Sequence, residues 1–342
     1  MELPKEMKVA QVLRQGPAQF ELRNVPTPSP GPGQVLIRVE SCGVNFSDVK
    51  RRRGDAYPFE TTFPFVPGGE IAGEIVAHGP GVQGPPIGAN VFALAGANGS
   101  GGYAQFALSY AQTAVPLPPG LSLDAAAVLL VAGSTAKLIL RDVARIQPGD
   151  SVLIAAATGG VGSFAVQLAR RAEAGKIIAA VGDVAKKKQA LALGAHEVVV
   201  YSSATWPEQV RELTAEKGVD IALESNGGES LEQTFRCLAP FGRLVVFGAA
   251  SGRSATLSPK TTERFLYAPA PNQTLAGFNL GGWFMARPQA AAAALTELIR
   301  EILGGHVRVP AIETVRLAEV ARAHERLEGR QVSGKIVVKP WA

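Results

Sequence analysis

The sequence predicts a two-domain α/β protein: a β-rich domain and a doubly wound parallel sheet. Three observations lead there. At 342 residues the chain is longer than one small core needs. Its first third breaks into short strand-like runs separated by Gly and Pro. Beyond residue 150, continuous apolar strands alternate with helices, the pattern of a parallel sheet covered on both faces.

Residues 8–13, 20–25 and 34–42 read as strands, with Pro26-Thr-Pro-Ser-Pro-Gly-Pro-Gly33 as a rigid turn. Strands follow at 70–78, 90–95 and 103–108, and the glycine-rich stretch 96–102 is a loop between the last two. Ser122 caps a helix over 123–130 with Asp124 in its first turn, and a second helix spans 134–144. Strand and helix then alternate over 151–156, 162–174, 176–181, 185–193, 197–201, 207–216, 220–224, 230–238 and 242–247. The pattern is lost from 252 to 272, which reads as a mobile excursion. A helix over 289–303, a strand over 312–317, a helix ending at Leu327 and a strand over 335–339 complete the chain.

Hydrophobic content of 46% with 18% charge suits a chain that buries a large core. The net charge is +5, and basic runs stand only at Lys50-Arg-Arg-Arg53 and Lys186-Lys-Lys188. That falls short of the broad stripe of a nucleic-acid surface, and a pocket for an anionic cofactor explains the excess. Cys42 and Cys237 lie far apart, so neither a disulfide framework nor a four-cysteine zinc site is expected, and a reducing, cytoplasmic setting is. The N-terminus has no signal-peptide core, and the longest apolar run, 125–132, is far below the ~20 residues of a membrane span.

The stretch Ser151-Val-Leu-Ile-Ala-Ala-Ala-Thr-Gly-Gly-Val-Gly162 is a strand, a tight turn and a helix start. Ala157, Gly159 and Gly162 occupy the places of a G-x-G-x-x-G. Small residues there let backbone approach a pyrophosphate, and the helix N-terminus offers free N–H groups to it. The next strand ends in Val181, where an NAD site keeps an acid for the ribose hydroxyls. Lys186 follows at the start of the next helix, and a lysine there neutralises a 2′-phosphate, which favours NADPH. Lys187 and Lys188 read as a solvated helix face, and Asp183 is an awkward neighbour for a phosphate.

Several segments, in order over nearly the whole chain, resemble the zinc-independent quinone oxidoreductases of the medium-chain dehydrogenase/reductase superfamily. They are Cys42-Gly-Val-Asn-Phe-Ser-Asp48, Pro67-Gly-Gly-Glu70, Gly101-Gly-Tyr-Ala104, Ala156-Ala-Thr-Gly-Gly-Val-Gly162, Val245-Val-Phe-Gly-Ala249, Gly277-Phe-Asn-Leu280 and Gly334-Lys-Ile-Val337. The Gly-Phe-Asn-Leu-Gly-Gly-Trp stretch and the ending also resemble the vesicle amine transport protein 1 branch. The resemblance implies a GroES-like β-barrel catalytic domain from residues 1–126 and 273–342, around a Rossmann NADP(H)-binding domain of residues 127–272. It implies a cleft between the domains and a homodimer joined through the Rossmann sheet edge. Gly159, Gly160, Val161, Gly182, Lys186 and Tyr201 are then the positions that hold NADPH. Thr135, Phe247, Gly248, Ala249, Phe278 and Leu280 lie near its nicotinamide half, Asn45 is the active-site asparagine, and Asn45 and Lys335 are further cofactor contacts.

Metal-dependent relatives carry a ligand Cys in the Cys-Gly-Val-x-x-x-Asp segment and a His in Gly-His-Glu. Asn45 and Gly69 stand there instead, and a catalytic zinc needs about three good ligands, so no metal is expected. His78, His196, His306 and His324 lie outside that motif and read as surface or loop residues, and Cys42 as a small buried hydrophobe. Lys50 stands where such reductases often carry a tyrosine facing the substrate. The Lys50-Arg-Arg-Arg53 run reads either as a solvated helix face or as a lure for an anionic or carbonyl-bearing substrate. Tyr57 stays near the cleft, while Val332 replaces a common asparagine.

Residues unable to hold a metal leave no Lewis acid for an alcohol, so hydride must go to an acceptor that is already electrophilic. The first expectation is an NADPH-dependent quinone reductase, with Asn45, Lys50 and Tyr57 as the catalytic polar groups. The alternatives are a reductase of α,β-unsaturated aldehydes or ketones, and a nucleotide-binding protein with little catalysis.

Overall fold

A computed structural model describes residues 3–253, 256–268 and 271–342. The chain divides into two compact units, Met1–Val131 with Ala311–Ala342, and Ala132–Pro310. The first unit begins with β1 (Glu6–Gln11), β2 (Glu21–Pro26), β3 (Gln34–Gly43) and α1 (Phe46–Arg53). It continues through β4 (Glu70–His78), β5 (Asn90–Leu94), β6 (Phe106–Tyr110), β7 (Val115–Pro116) and α2 (Leu123–Ala126). The second unit runs α3 (Ser134–Leu138), β8 (Ser151–Ala155), α4 (Gly160–Arg171), β9 (Lys176–Val181), α5 (Lys187–Ala192), β10 (Glu197–Val200) and α6 (Trp206–Leu213). It ends with β11 (Val219–Glu224), α7 (Glu229–Arg236), β12 (Leu238–Val246), α8 (Pro259–Tyr267), β13 (Thr274–Gly277), α9 (Leu280–Ala286) and α10 (Pro288–Leu303). The chain then returns to the first unit with β14 (Ile312–Arg316), α11 (Val320–Glu328) and β15 (Lys335–Lys339).

The first unit is built on a sheet ordered β14-β15-β3-β4-β5-β7, with β6 also on β3. Side chains alternate across a strand, so residues two apart share a face. Val35, Ile37 and Val39 of β3 accordingly join Ile71 and Ile75 of β4, Val91 and Ala93 of β5, and Ile336 and Val338 of β15 in one buried cluster. Leu36 of β3 points the other way, into a smaller cluster with Met7, Val9 and Phe106. This is the β-rich, GroES-like domain that the sequence led us to expect.

The second unit holds a parallel sheet ordered β10-β9-β8-β11-β12-β13. Its strands are buried on both faces: Ile177 to Val181 and Ile221 to Leu223 are all at most 2% exposed. Chain order runs outward in both directions from β8 and β11. At such a reversal the connections leave on opposite faces, which opens a crevice at the strands' C-terminal ends.

Several expectations are corrected. Residues 273–310 belong with the parallel sheet, because β13 pairs with β12 from Thr274 opposite Arg243 onward. Lys137 and Arg141, following the start of the second unit, also hold Glu301 and Glu297 of α10 at 3.1 and 2.8 Å. The expected irregular stretch 252–272 contains α8, capped by Ser258 accepting from Thr261 N; positions 254–255 and 269–270 lie outside the described residues. The helices expected over 123–130 and 134–144 are interrupted by π-helical turns at Leu129–Gly133 and Ile139–Val143. Cys42 and Cys237 are free and fully buried, one in each unit.

His324 is not a surface residue. Its ring is fully buried on α11, with Nε2 3.0 Å from Tyr103 Oη and Phe20 packed edge-on at 5.0 Å. Nδ1 has no hydrogen-bond partner among the described residues. Burial, and then the nearby Arg52 charge, push its pKa down to about 3. An unfolded histidine titrates near ~6.5, so below that pH the unfolded chain gains a proton that the folded chain refuses. Stability is complete above pH ~6.5 and erodes as pH falls toward 3. The thermal midpoint should therefore drop steadily between about pH 6 and pH 4, and His324→Phe should flatten that part of the profile. Scanning calorimetry of both proteins across this range checks it; parallel profiles would count against His324 as the cause.

Candidate functional site

In the second unit, the residues expected at a cofactor gather on one edge. They lie at or just beyond the C-terminal ends of the parallel strands: Gly159 to Val161 after β8, Gly182 after β9, Tyr201 after β10, Phe247 to Ala249 after β12, and Phe278 and Leu280 after β13. The turn after β8 is tight, with Ala156 at φ +49° and Gly159 N bonded to Ala156 O at 2.8 Å. A side chain at Gly162 would put its Cβ 2.2 Å from Ala156 O, so only glycine lets α4 start this close to the strand. Gly159 caps α4, and the first-turn N–H groups of that twelve-residue helix face out of its end. This is the arrangement that receives a pyrophosphate.

Beside it, Gly182 and Tyr201 meet. A Cβ at Gly182 would lie 2.9 Å from the Tyr201 hydroxyl, so the absent side chain is what lets the phenol lie over the β9 end. Asp183 is turned away from the role of a repelling neighbour, because its carboxylate accepts from Ala185 N at 2.8 Å and caps the turn before α5. Lys186 is half-buried while Lys187 and Lys188 are exposed. Burial lowers the Lys186 pKa, and Asp183 opposes that shift.

The loop after β11 was not anticipated. Glu224 is fully buried, and its carboxylate accepts from Asn226 N, Gly227 N, Ser230 Oγ and Thr234 Oγ1 at 2.5, 3.0, 2.9 and 2.9 Å. That loop backs the expected nicotinamide residues: Cβ atoms at Gly248 and Gly227 would lie 3.0 Å from Ser225 O and from Ala249 Cβ. Phe278 is bonded through its N–H to Val246 O at 2.8 Å and stacks on Trp283. Thr135 is buried on α3. The one sequence signal for Glu224 was an acid closing an apolar strand ahead of Ser-Asn-Gly-Gly.

The first unit carries a buried polar cluster. Asn45 caps α1, and the Asp48 carboxylate accepts from Asn45 N and from Gly68 N, both at 2.9 Å. Asn45 Nδ2 donates to Glu70 Oε2 at 3.1 Å, and Glu70 Oε1 accepts from Val131 N at 3.0 Å. Lys335 Nζ donates to Asn45 Oδ1 at 2.5 Å and to Val44 O at 2.9 Å, and lies 4.0 Å from Glu70 Oε2. Lys335 is 5% exposed and Glu70 0%. Burial raises the Glu70 pKa and lowers that of Lys335, each opposed by the other's charge. Lys335, expected as a cofactor contact, has its ammonium bonded inside the first unit to Asn45 Oδ1 and Val44 O. Glu70 went unassigned in the sequence, where it stands out only as an acid opening an apolar strand.

The Lys50-Arg-Arg-Arg53 run is not one solvated face. Arg51 and Arg52 are each 1% exposed. Arg51 donates to Thr61 Oγ1, Asn98 O and Gly99 O and lies over the Phe65 ring, and Arg52 pairs with Glu328 at 2.6 Å. Lys50 is half-exposed, and its ammonium has no ion-pair or hydrogen-bond partner among the described residues. Tyr57 is half-buried, with Arg51 5.3 Å from its ring centre. Burial raises its pKa and a hydrogen bond with Ser47 opposes this, so the phenol stays protonated at neutral pH.

The residues at the two metal-motif positions do not suit a metal. Asn45 Oδ1 already accepts from an ammonium, and a Cβ at Gly69 would lie 2.8 Å from Gly99 O. Among the described residues no group of three His, Cys, Asp or Glu could hold an ion.

A β-rich GroES-like unit beside a parallel-sheet unit with a glycine-rich first turn defines a two-domain dehydrogenase/reductase of the medium-chain superfamily. The chain matches the alcohol dehydrogenase GroES-like domain over residues 31–119 and the zinc-binding dehydrogenase family over residues 160–299. It is 33% identical to the 2-haloacrylate reductase of a Burkholderia species over 340 residues, covering 96% of this chain and 97% of that one. It is also 33% identical to a quinone oxidoreductase of Pseudomonas aeruginosa over 327 residues, covering 95% and 97%. The crystal structure of Escherichia coli quinone oxidoreductase complexed with NADPH superimposes with a TM-score of 0.86 at 27% identity, covering 97% of this chain and all of that one. Within the superfamily, the chain belongs to the quinone oxidoreductase family.

Proposed function

We propose that the protein is an NADPH-dependent, metal-independent reductase of quinones or of alkenes conjugated to a carbonyl. The observation that carries this reading is the edge of the parallel sheet. There a glycine turn, a helix start, a phenol over Gly182 and the half-buried Lys186 stand together, with Val181 in place of a ribose-binding acid. NADPH, when bound, supplies the hydride. The glycine turn would offer backbone N–H groups to the pyrophosphate, and Lys186 with Tyr201 would hold the 2′-phosphate. Thr135, Phe247 to Ala249, Phe278 and Leu280 would border the nicotinamide. In the first unit Tyr57, whose phenol burial holds protonated, would be a hydrogen-bond donor to an acceptor oxygen that gains negative charge on reduction.

The unengaged Lys50 favours a second acceptor class. An ammonium with no partner among the described residues is free to attract a carboxylate, and a haloacrylate, the substrate in the name of the Burkholderia relative, is an alkene bearing one. A reducing compartment such as the cytoplasm agrees with two free, buried cysteines, and no helix of the described residues is long and apolar enough to cross a membrane. A homodimer is supported by β13, an edge strand with exposed Leu275, near which Phe241 and Tyr267 are also exposed; sedimentation equilibrium at the monomer mass would reject it.

The decisive measurement is NADPH oxidation with p-benzoquinone, with a neutral enone and with 2-chloroacrylate. Turnover of at least one is expected, and tight NADPH binding with no turnover of any would end the reductase reading. Lys50→Met should lower kcat/KM for the carboxylate-bearing acceptor about tenfold or more and leave the neutral acceptors near wild type. Lys186→Glu should weaken NADPH about a hundredfold and NADH far less, as titrated by nucleotide fluorescence; equal losses would refute the 2′-phosphate role.

A further inference from the structure

We propose that Lys335 supplies a buried cation beside the first of the two metal-motif positions and fixes the orientation of Asn45 there. This rests on the metal-independent reading above. The sequence sets the ingredients far apart: Lys335 near the C-terminus, Asn45 after β3, and Glu70 directly after Gly69, the second motif position. The fold brings them together. The ammonium lies 2.5 Å from the side chain at the first motif position and 4.0 Å from the carboxylate adjoining the second. It thereby balances the charge of the buried Glu70 carboxylate.

The same contact decides which way the Asn45 amide points. An ammonium has three donors and no acceptor, so the amide end facing it must be oxygen. The NH2 end then falls to Glu70 Oε2 at 3.1 Å and Gly43 O at 3.4 Å. A flipped amide would set NH2 against NH3+ and oxygen against carboxylate, two repulsions at once. Lys335 is therefore a positioning residue, acting through Asn45. Val44 O at 2.9 Å completes its hold on the turn from β3 into α1, the helix that also carries Ser47 and Lys50.

The test uses Lys335→Met, which keeps the length and removes the charge, and the pair Lys335→Met with Glu70→Gln. Three quantities are read for each: NADPH affinity by fluorescence, kcat with p-benzoquinone, and the thermal midpoint. The single variant should bind NADPH within about twofold of wild type while kcat falls about tenfold or more, since a misplaced group of this kind costs rate rather than cofactor affinity. Its thermal midpoint should fall because Glu70 loses its counter-charge. The double variant should recover the midpoint and not kcat, and it supplies the measurement if the single variant fails to fold. Recovery of both would overturn the proposal, making Lys335 only a counter-ion. A large loss of NADPH affinity would also overturn it, making Lys335 a cofactor ligand. If wild type reduces no acceptor, the reductase reading fails separately. The side-chain amide signals of isotope-labelled Asn45 then decide the positioning role: one sharp pair that broadens or doubles in Lys335→Met supports it, and unchanged signals refute it.

Discussion

A buried carboxylate needs hydrogen-bond donors or a counter-charge, and that requirement organises both units. In the first unit, Glu70 draws in Val131 N–H, the Asn45 amide and, at 4.0 Å, the Lys335 ammonium. Those groups come from three separate stretches of chain, including the segment that returns after residue 310. Leaving such a carboxylate unanswered in a low-dielectric interior costs several kcal/mol, about as much as a protein's whole margin of stability allows. The pairing of β15 with β3 is thus tied to the geometry beside Asn45. In the second unit Glu224 does the corresponding work locally, gathering two backbone N–H groups and two hydroxyls to shape one loop.

The difference in reach explains what could be read in the sequence. The glycine-rich turn after β8 was legible because its chemistry is largely backbone chemistry. A turn that needs glycine, a helix start and a strand ending without an acid are all local, and each shows in a few consecutive letters. The parallel sheet was legible for the same reason, since apolar runs such as Lys176–Val181 are continuous. The polar cluster of the first unit was not. Lys335 looks like any lysine in a terminal strand, and only the fold reveals that its ammonium lies inside against Asn45. His324 and Arg52 likewise carry no local sign of burial; partners at Tyr103 and Glu328 decide it.

The misplaced boundary has a related cause. Residues Thr274–Gly277 form a short edge strand with mostly exposed side chains, so no apolar run announces it. Its membership in the parallel sheet is fixed by backbone pairing with β12, which leaves no trace in the letters. Helix α8 escaped notice because Pro259 opens it and Gly, Ser and Thr surround it, although proline suits a first helical turn.

Each unit also hides one thiol. Cys42 sits where Cβ atoms at Gly68 and Gly102 would lie within 2.8 Å of its sulfur, and burial pushes its pKa far up. Cys237 closes α7, and burial raises its pKa to about 12. A thiol so shielded and so protonated reacts only when its surroundings open. The molecule thus contains a pair of natural gauges, one for the breathing of each half. Alkylation kinetics followed at the two sulfurs would show which half loosens first under heat or denaturant, with no foreign label in the chain.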